Sequence, residues 1–310
     1  MRYDDPNLKP SMPRWLILRN VAIACAALIL SACSPTDLVN LTVALNATIG
    51  TQGLEINHEL TYAAGDRHGL DVYRADAARG ARPVVVFFYG GAWQTGKRQD
   101  YLFAAAALAR QGFLVFVPDY RLYPAVQYPV FLDDAAQAVA YVKRVAPSWG
   151  GDPDRLFLVA HSAGAYMAEM LALDPQYLAR AGMSPRDLAG VVSMAGPADF
   201  LPITGEDIKL VFGAHCEDPA TMPINHVDGR NPPLLLLHGD ADQTVYPRNS
   251  IALAARIRAD GGPVELKEYP GVGHIGIVLS LAPLFRDKST ALADTARFVQ
   301  DTPAISVPTQ

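Results

Sequence analysis

The chain has 310 residues, enough for one large α/β domain, and half of them are hydrophobic while 18% are charged, which excludes a globally disordered chain. Its net charge of -5, with no basic stripe, excludes the electrostatics of phosphate neutralisation, so no nucleic-acid partner is expected.

Residues 1–32 carry the pattern of an export signal: Arg14 and Arg19 flank the start of an apolar stretch whose core, Val21 to Leu30, is too short to span a bilayer. The core ends in LSAC, Leu30 to Cys33, which resembles the bacterial lipobox. That resemblance implies cleavage before Cys33 and a diacylglycerol on its sulfur. The mature protein is then expected in the bacterial cell envelope, lipid-anchored to a membrane through Cys33. The alternatives are a plain signal peptide cut after Ala32 and an uncleaved interfacial helix. Of the three cysteines, Cys25 lies in the removed segment and Cys33 at the anchor, which leaves Cys216 as a free thiol and no intramolecular disulfide. Residues 33–54 read as a tether, polar and rich in small residues, or as a short helix laid on the domain.

A single domain is expected over 55–300, followed by a short tail, 301–310. It opens with EINHELTYA and HGLDVYRA, which alternate apolar and polar residues around AGDR and predict an antiparallel hairpin. Wholly apolar runs follow at 83–89, 113–118, 155–160, 188–195 and 233–239, as suits strands buried on both faces. Between them, DYLFAAAALARQG, VFLDDAAQAVAYVKRVA, SAGAYMAEMLAL and NSIALAARIRADGG have helical spacing. This alternation predicts a mostly parallel sheet covered by helices on both sides, with ligands beyond the carboxyl ends of the strands. Two stretches interrupt the rhythm: LYPAVQYP at 122–129, and the long segment 197–233, read as a small cap over the site.

Ser162 stands at the junction between the strand-like RLFLVA and a helix, with Ala163 and Gly164 after it. Small side chains there allow a sharp strand-to-helix turn that projects a hydroxyl. A serine before a helix is equally well an N-cap when taken alone. Two later signals favour chemistry. LLLLHGDADQTVYP ends a buried strand and places Asp240 and Asp242 in a loop, where one of them can orient an imidazole. YPGVGHIG places His274 in a glycine-rich loop, expected to be mobile and exposed. Ser162, Asp242 and His274 run in the order nucleophile, acid, base, each just after an expected strand and so on one edge of the sheet. His215, Cys216 and His226 match no common zinc spacing, and no metal or other cofactor is expected.

From about residue 55 to 299 the chain resembles the α/β-hydrolase superfamily, in particular its esterase branch of carboxylesterases, feruloyl-type esterases, arylformamidases and isoprenylcysteine methylesterases. The carrying motifs are YGGAW at 89–93, DYRLYP at 119–124, GGDPDRLFLVAHSAGA at 150–165, INHVDGRNPPLLLLHGDADQTV at 224–245 and GVGH at 271–274. The resemblance implies an oxyanion hole from the backbone N–H groups of Gly90, Gly91, Ala92 and Ala163. Trp93, Tyr123 and Tyr128 are candidate substrate-pocket residues, and an inner-pocket role for any of them would favour an arylformamidase-like enzyme with an aromatic substrate. His161 is expected to pack under the serine turn, and Glu169 to be structural. Two positions depart from the branch. Tyr89 replaces a histidine that braces the loop, and Ala160 replaces the first glycine of G-x-S-x-G, so one extra methyl must fit beneath the turn.

The expected function is a serine hydrolase that cleaves small-molecule carboxylic esters through an acyl-enzyme, with Ser162 as nucleophile, His274 as base and Asp242 as its orienter. An arylformamidase-like amide hydrolase is the second enzymatic reading. A membrane-tethered binding protein on an inactive hydrolase scaffold is the non-enzymatic one.

Overall fold

The computed structural model describes residues 42, 45–75 and 80–305. The expected export signal, Cys33 and much of the expected tether lie outside these residues, as does the end of the tail. Among the described residues the β-branched and aromatic runs form eight strands: β1 (Leu54–Thr61), β2 (Gly69–Ala75), β3 (Arg82–Phe88), β4 (Leu114–Pro118), β5 (Gly151–His161), β6 (Gly190–Met194), β7 (Leu234–Gly239) and β8 (Val264–Tyr269). They form one sheet in the order β1-β2-β4-β3-β5-β6-β7-β8. The β1–β2 and β2–β4 pairs are antiparallel and all others parallel. The strands start and stop within a residue or two of the apolar runs except β5, which begins earlier and continues its pairing with β3 through a register shift at Pro83.

The helices are α1 (Leu102–Ala109), α2 (Val130–Val145), α3 (Ala163–Leu173), α4 (Pro175–Arg180), α5 (Glu206–Phe212), α6 (Arg248–Ala259), α7 (His274–Leu279) and α8 (Ala291–Asp301). From β3 the chain crosses through α1 to β4 on one side, then returns through α2 to β5 on the other. Right-handed crossovers running in opposite directions put α1 and α2 on opposite faces of the sheet. The reversal opens a crevice between the carboxyl ends of β3 and β5, the topological switch point where ligands bind in open α/β sheets. None of the described helices is long and apolar enough to cross a membrane.

The start of the domain is held from outside the sheet. Leu45 is fully buried, and Asn46 donates to the carbonyls of Gln99 and Asp100 at 2.8 and 2.9 Å while its Oδ1 accepts from Phe103 N–H at 3.1 Å. Asn46 thereby satisfies an unpaired N–H in the first turn of α1, so this part of 33–54 is packed on the domain. The 197–233 segment carries α5 and several short 3-10 turns in place of regular structure.

Helix α3 is buried along its whole length, Glu169 included. Glu169 Oε1 accepts from Ser193 Oγ at 2.6 Å, and Oε2 has no partner. Burial pushes this carboxyl up to about 8, against the smaller opposing effect of the serine bond. The unfolded carboxyl loses its proton near 4.5, whereas the folded one keeps it to about 8. The native state therefore binds more protons over that window, and the stability linked to this group is complete below it and is lost as pH rises through it. Glu169→Gln removes the titration while keeping the shape. Urea unfolding between pH 4.5 and 8 is expected to show a shallower loss of stability with pH in Glu169→Gln than in the wild type. Equal slopes would mean that Glu169 is ionised in the native core.

Candidate functional site

The loops after β3, β5, β7 and β8 meet at the switch-point crevice, and each brings one part of the site. Ser162 follows β5 with φ 56° and ψ -122°, a region that side chains other than glycine rarely enter. Its N–H extends the sheet by donating to Met194 O at 2.9 Å, and its carbonyl accepts from Tyr166 N–H at 3.0 Å, so one residue both ends the strand and starts α3. The turn is tight enough that a Cβ at Gly164 would lie 2.3 Å from the Phe88 carbonyl oxygen. Ala160 is fully buried in β5, paired with Phe88 on one side and Ser193 on the other, and its methyl is accommodated there.

Ser162 occupies the N-cap position of α3, yet its hydroxyl makes no capping bond. Ser162 Oγ instead lies 2.8 Å from His274 Nε2. The other imidazole nitrogen, Nδ1, is 2.8 Å from Asp242 Oδ2. A carboxylate beside Nδ1 requires the hydrogen there, which leaves Nε2 as an acceptor facing the hydroxyl. His274 differs from the expected exposed, mobile loop histidine. It begins the short helix α7 and is 9% exposed, because α7 folds back against β7 and the elbow.

Asp242 is held on every side. Oδ1 accepts from the N–H groups of Thr244 and Val245, each at 2.9 Å, and Oδ2 also faces His238 Nε2 at 3.3 Å. Burial alone would raise this carboxyl, but hydrogen bonds from His238, His274 and the backbone outweigh it and hold it well below the usual carboxylate range. Asp240, two residues earlier, is exposed and accepts from Gly271 N–H at 2.7 Å, bracing the loop that leads to His274.

Two histidines support this line from behind. His238 Nε2 meets two acceptors, Val245 O at 2.8 Å and Asp242, so Nε2 carries the hydrogen and Nδ1 accepts from Ser250 at 2.7 Å. The spacing of four between His238 and Asp242 across the strand end was the available sequence signal for this contact. His161 lies under the elbow and donates from Nε2 to the His274 carbonyl at 3.0 Å. Its ring is pushed down to about 3 by burial and by the neighbouring His274, so it stays neutral beside that imidazole.

The Gly90–Trp93 loop lies directly against Ser162: a Cβ at Gly90 would be 2.9 Å from Ser162 Cβ. Gly91, Ala92 and Trp93 have successive positive φ values of 133°, 53° and 58°, which turn the loop back on itself. Among the described residues the N–H groups of Gly90, Gly91, Ala92 and Ala163 meet no main-chain acceptor, and Ala163 begins α3, where the helix dipole is positive.

Trp93 is 3% exposed and packs into an aromatic cluster with Phe131, Tyr166 and Phe212 at ring-centroid distances of 5.7, 5.1 and 5.3 Å. Tyr128 stacks on Phe212 at 5.3 Å with its hydroxyl 3.0 Å from Tyr177, and Tyr123 donates its N–H to Trp93 O. Phe212 belongs to α5, so the 197–233 segment covers this side of the site. Sequence reasoning missed Phe212 and Tyr166, since nothing local shows which aromatic a buried tryptophan will meet. His215, Cys216 and His226 do not converge: His215 faces Asp218 and Tyr128, Cys216 Sγ faces Gly213 O, and His226 faces Ala220 O and Asp174. Among the described residues no group of three or more His, Cys, Asp and Glu side chains is placed to hold a metal.

Residues 70–257 match the BD-FAE family model, from β2 into α6, taking in Ser162 and Asp242 and stopping short of His274. A probable isoprenylcysteine alpha-carbonyl methylesterase of Oryza sativa subsp. japonica is 27% identical over 251 residues, 73% of this chain and 58% of that protein. Esterase LipQ of Mycobacterium tuberculosis is 28% identical over 257 residues, 76% of this chain and 60% of that protein. The chain thus spans less than two thirds of the length of either relative. Among solved structures, esterase B from Lactobacillus rhamnosis superposes with a TM-score of 0.71 at 20% identity, covering 92% of this chain and 97% of that one. That likeness carries the fold. With the family match spanning more than half of the chain and the sheet order and elbow in place, the chain belongs to the BD-FAE family and has the α/β-hydrolase fold.

Proposed function

We propose that this protein is a serine hydrolase that cleaves carboxylic esters of small molecules. The observation that carries the reading is the unbroken line from Ser162 Oγ to His274 Nε2 and from His274 Nδ1 to Asp242 Oδ2, each step 2.8 Å, at a serine whose hydroxyl declines the helix cap. The esterase names of the relatives above support an ester as the substrate class.

In this mechanism Ser162 Oγ forms a bond to the acyl carbon as its proton passes to His274 Nε2, and the carbonyl π electrons move onto oxygen. The N–H groups of Gly90, Gly91, Ala92 and Ala163 are the donors available to that oxyanion, each contributing roughly 3 kcal/mol where such donors have been tested. The tetrahedral intermediate collapses by breaking the bond to the alcohol oxygen, which takes the proton from Nε2 and leaves. Water then attacks the acyl carbon, gives a proton to Nε2, and Ser162 departs and recovers it, releasing the acid. Asp242 remains an anion throughout, holding the imidazole in the tautomer that accepts from serine and stabilising the imidazolium. The aromatic side chains that would favour a formamide substrate, Trp93 and Tyr128, are engaged in packing against Phe212, so the ester reading is preferred.

The same reading places the enzyme at the bacterial cell envelope, held through lipid on Cys33, as the LSAC motif supports. Expressed as the full chain in a Gram-negative host, Cys33→Ser is expected to move the protein from the membrane fraction to the soluble periplasmic fraction. Identical fractionation of the two proteins would remove the anchor.

The chain from residue 34, which keeps the packed Leu45 and Asn46, is expected to hydrolyse short p-nitrophenyl esters and to be labelled by a fluorophosphonate at Ser162, with both lost in Ser162→Ala. Wild type and variant equally inert across a broad ester panel, with no label, would overturn the hydrolase reading. Asp242→Asn is expected to lower kcat by about 10³ to 10⁴, because the imidazole loses the partner that fixes its tautomer. Asp240→Asn, whose carboxylate touches only Gly271 N–H, should stay within a few fold of wild type in the same assay. The reverse pattern would reassign the acid.

A further inference from the structure

The mechanism leaves unused a buried group of three tyrosines behind the Gly90–Trp93 loop. Tyr89 stands where the esterase branch has a histidine, and it is enclosed between Tyr101 and Tyr120, with ring centroids 5.4 and 4.8 Å away and interplanar angles of 20° and 26°. All three side chains are at least 98% buried. Tyr120 Oη donates to the Tyr89 carbonyl at 2.8 Å. The peptide is planar, so a hydrogen bond to its C=O also restrains the direction of the Gly90 N–H that lies in the same plane.

The Tyr89 side chain is itself anchored. Its hydroxyl donates to Asp119 Oδ1 at 2.7 Å and accepts from Arg67 Nη2 at 2.9 Å. Arg67 also donates to the Gly96 carbonyl at 2.7 Å and the Tyr120 carbonyl at 2.8 Å, and so ties the far end of the loop to the same cluster. Asp119 accepts in addition from Arg98 N–H at 2.8 Å.

The loop needs such a hold. Gly90 and Gly91 are required by close approach, since a Cβ at Gly90 would meet Ser162 Cβ at 2.9 Å and one at Gly91 would meet Thr95 O at 2.2 Å. Two consecutive glycines are also the most conformationally free residues a loop can contain. Unless the peptide before them is held, the N–H groups that follow have no fixed direction, and donors contribute to catalysis only when already aimed at the developing charge.

We infer that Tyr120, with Tyr89 stacked between it and Tyr101, is a positioning residue: it holds the Tyr89–Gly90 peptide plane and thereby aims the Gly91 and Ala92 N–H groups at the oxyanion. This inference rests on the ester-hydrolase reading above. It makes Tyr89 a working replacement for the histidine of the branch, since its phenol bridges Asp119 and Arg67 while its backbone carries the clamped peptide.

The test compares wild type, Tyr120→Phe and Tyr89→Phe, each of which removes one hydroxyl and keeps the ring stack. For each protein, kcat and KM for a p-nitrophenyl ester and the inhibition constant of an aryl trifluoromethyl ketone, which adds to the serine and mimics the oxyanion, are measured. Both variants are expected to lose about ten-fold or more in kcat with KM nearly unchanged, less than the ~10² to 10³ that follows outright removal of one donor. The trifluoromethyl ketone should weaken by the same factor as kcat/KM falls, because both report oxyanion stabilisation. A merely structural role would lower the melting temperature without this parallel loss. Unchanged kcat and inhibitor affinity in the folded variants, or a loss of kcat without a matching loss of inhibitor affinity, would overturn the positioning role. If Tyr120→Phe does not fold, Tyr89→Phe, which releases the same residue from Asp119 and Arg67, decides the matter alone. If wild type itself neither turns over esters nor takes a fluorophosphonate on Ser162, the hydrolase reading falls first and this one with it; an active wild type with indifferent variants removes only the positioning role.

Discussion

The constraint on which the rest of the site depends is the lack of room between the carboxyl end of β3 and the first turn of α3. A Cβ on Gly164 would press into the Phe88 and Tyr89 carbonyls, and one on Gly90 into Ser162. Helix α3 can therefore enter close under the sheet edge only if the chain turns within a single residue, and that residue, Ser162, takes a positive φ. Such a conformation costs about 1 to 3 kcal/mol and persists because the surroundings determine it: its N–H belongs to the β6 ladder and its carbonyl to α3. The same proximity brings the Gly90–Trp93 loop beside the serine hydroxyl. The elbow and the facing loop are two results of one packing requirement.

Electrostatics build outward from that point in layers. His274 faces the serine, Asp242 faces His274, and His238 with two backbone N–H groups faces Asp242. Each layer leaves the next with its hydrogen in a defined place. Burial works in opposite directions on the two ionisable groups beneath the elbow, keeping His161 uncharged and Glu169 protonated. The floor of the site is consequently neutral near pH 7, and the anion of Asp242 is not opposed by a second charge directly below the serine. The 197–233 segment adds an apolar wall through Phe212, which keeps Trp93 and its neighbours out of water.

Much of this was legible in the chain. The apolar runs located the parallel strands to within a residue or two, since a strand buried on both faces leaves a continuous hydrophobic signature. β5 started earlier than its apolar run because Gly151 and Asp152 pair with Arg82 and Pro83 of β3 ahead of a register shift, which no side-chain pattern reports. The order of Ser162, Asp242 and His274 was readable because reactive side chains follow strands on one edge of such a sheet. The burial of His274 was not: GVGHIG looks like an exposed loop, and only the packing of α7 against β7 covers the imidazole.

By itself the sequence determined which residues are chemically able to react, the alternation of strand and helix that carries them, and the small side chains at 163, 164, 90 and 91 that let backbones approach. These are local properties, written in residue type and spacing. Tertiary structure alone decided that Ser162 Oγ would leave the helix cap for an imidazole 112 residues away, that two further histidines would stand behind the pair, and that a buried phenol would hold the Tyr89 carbonyl. The reason is that a hydroxyl, an imidazole or an amide has several acceptable partners, and sheet order and burial determine which of them lies within about 3 Å.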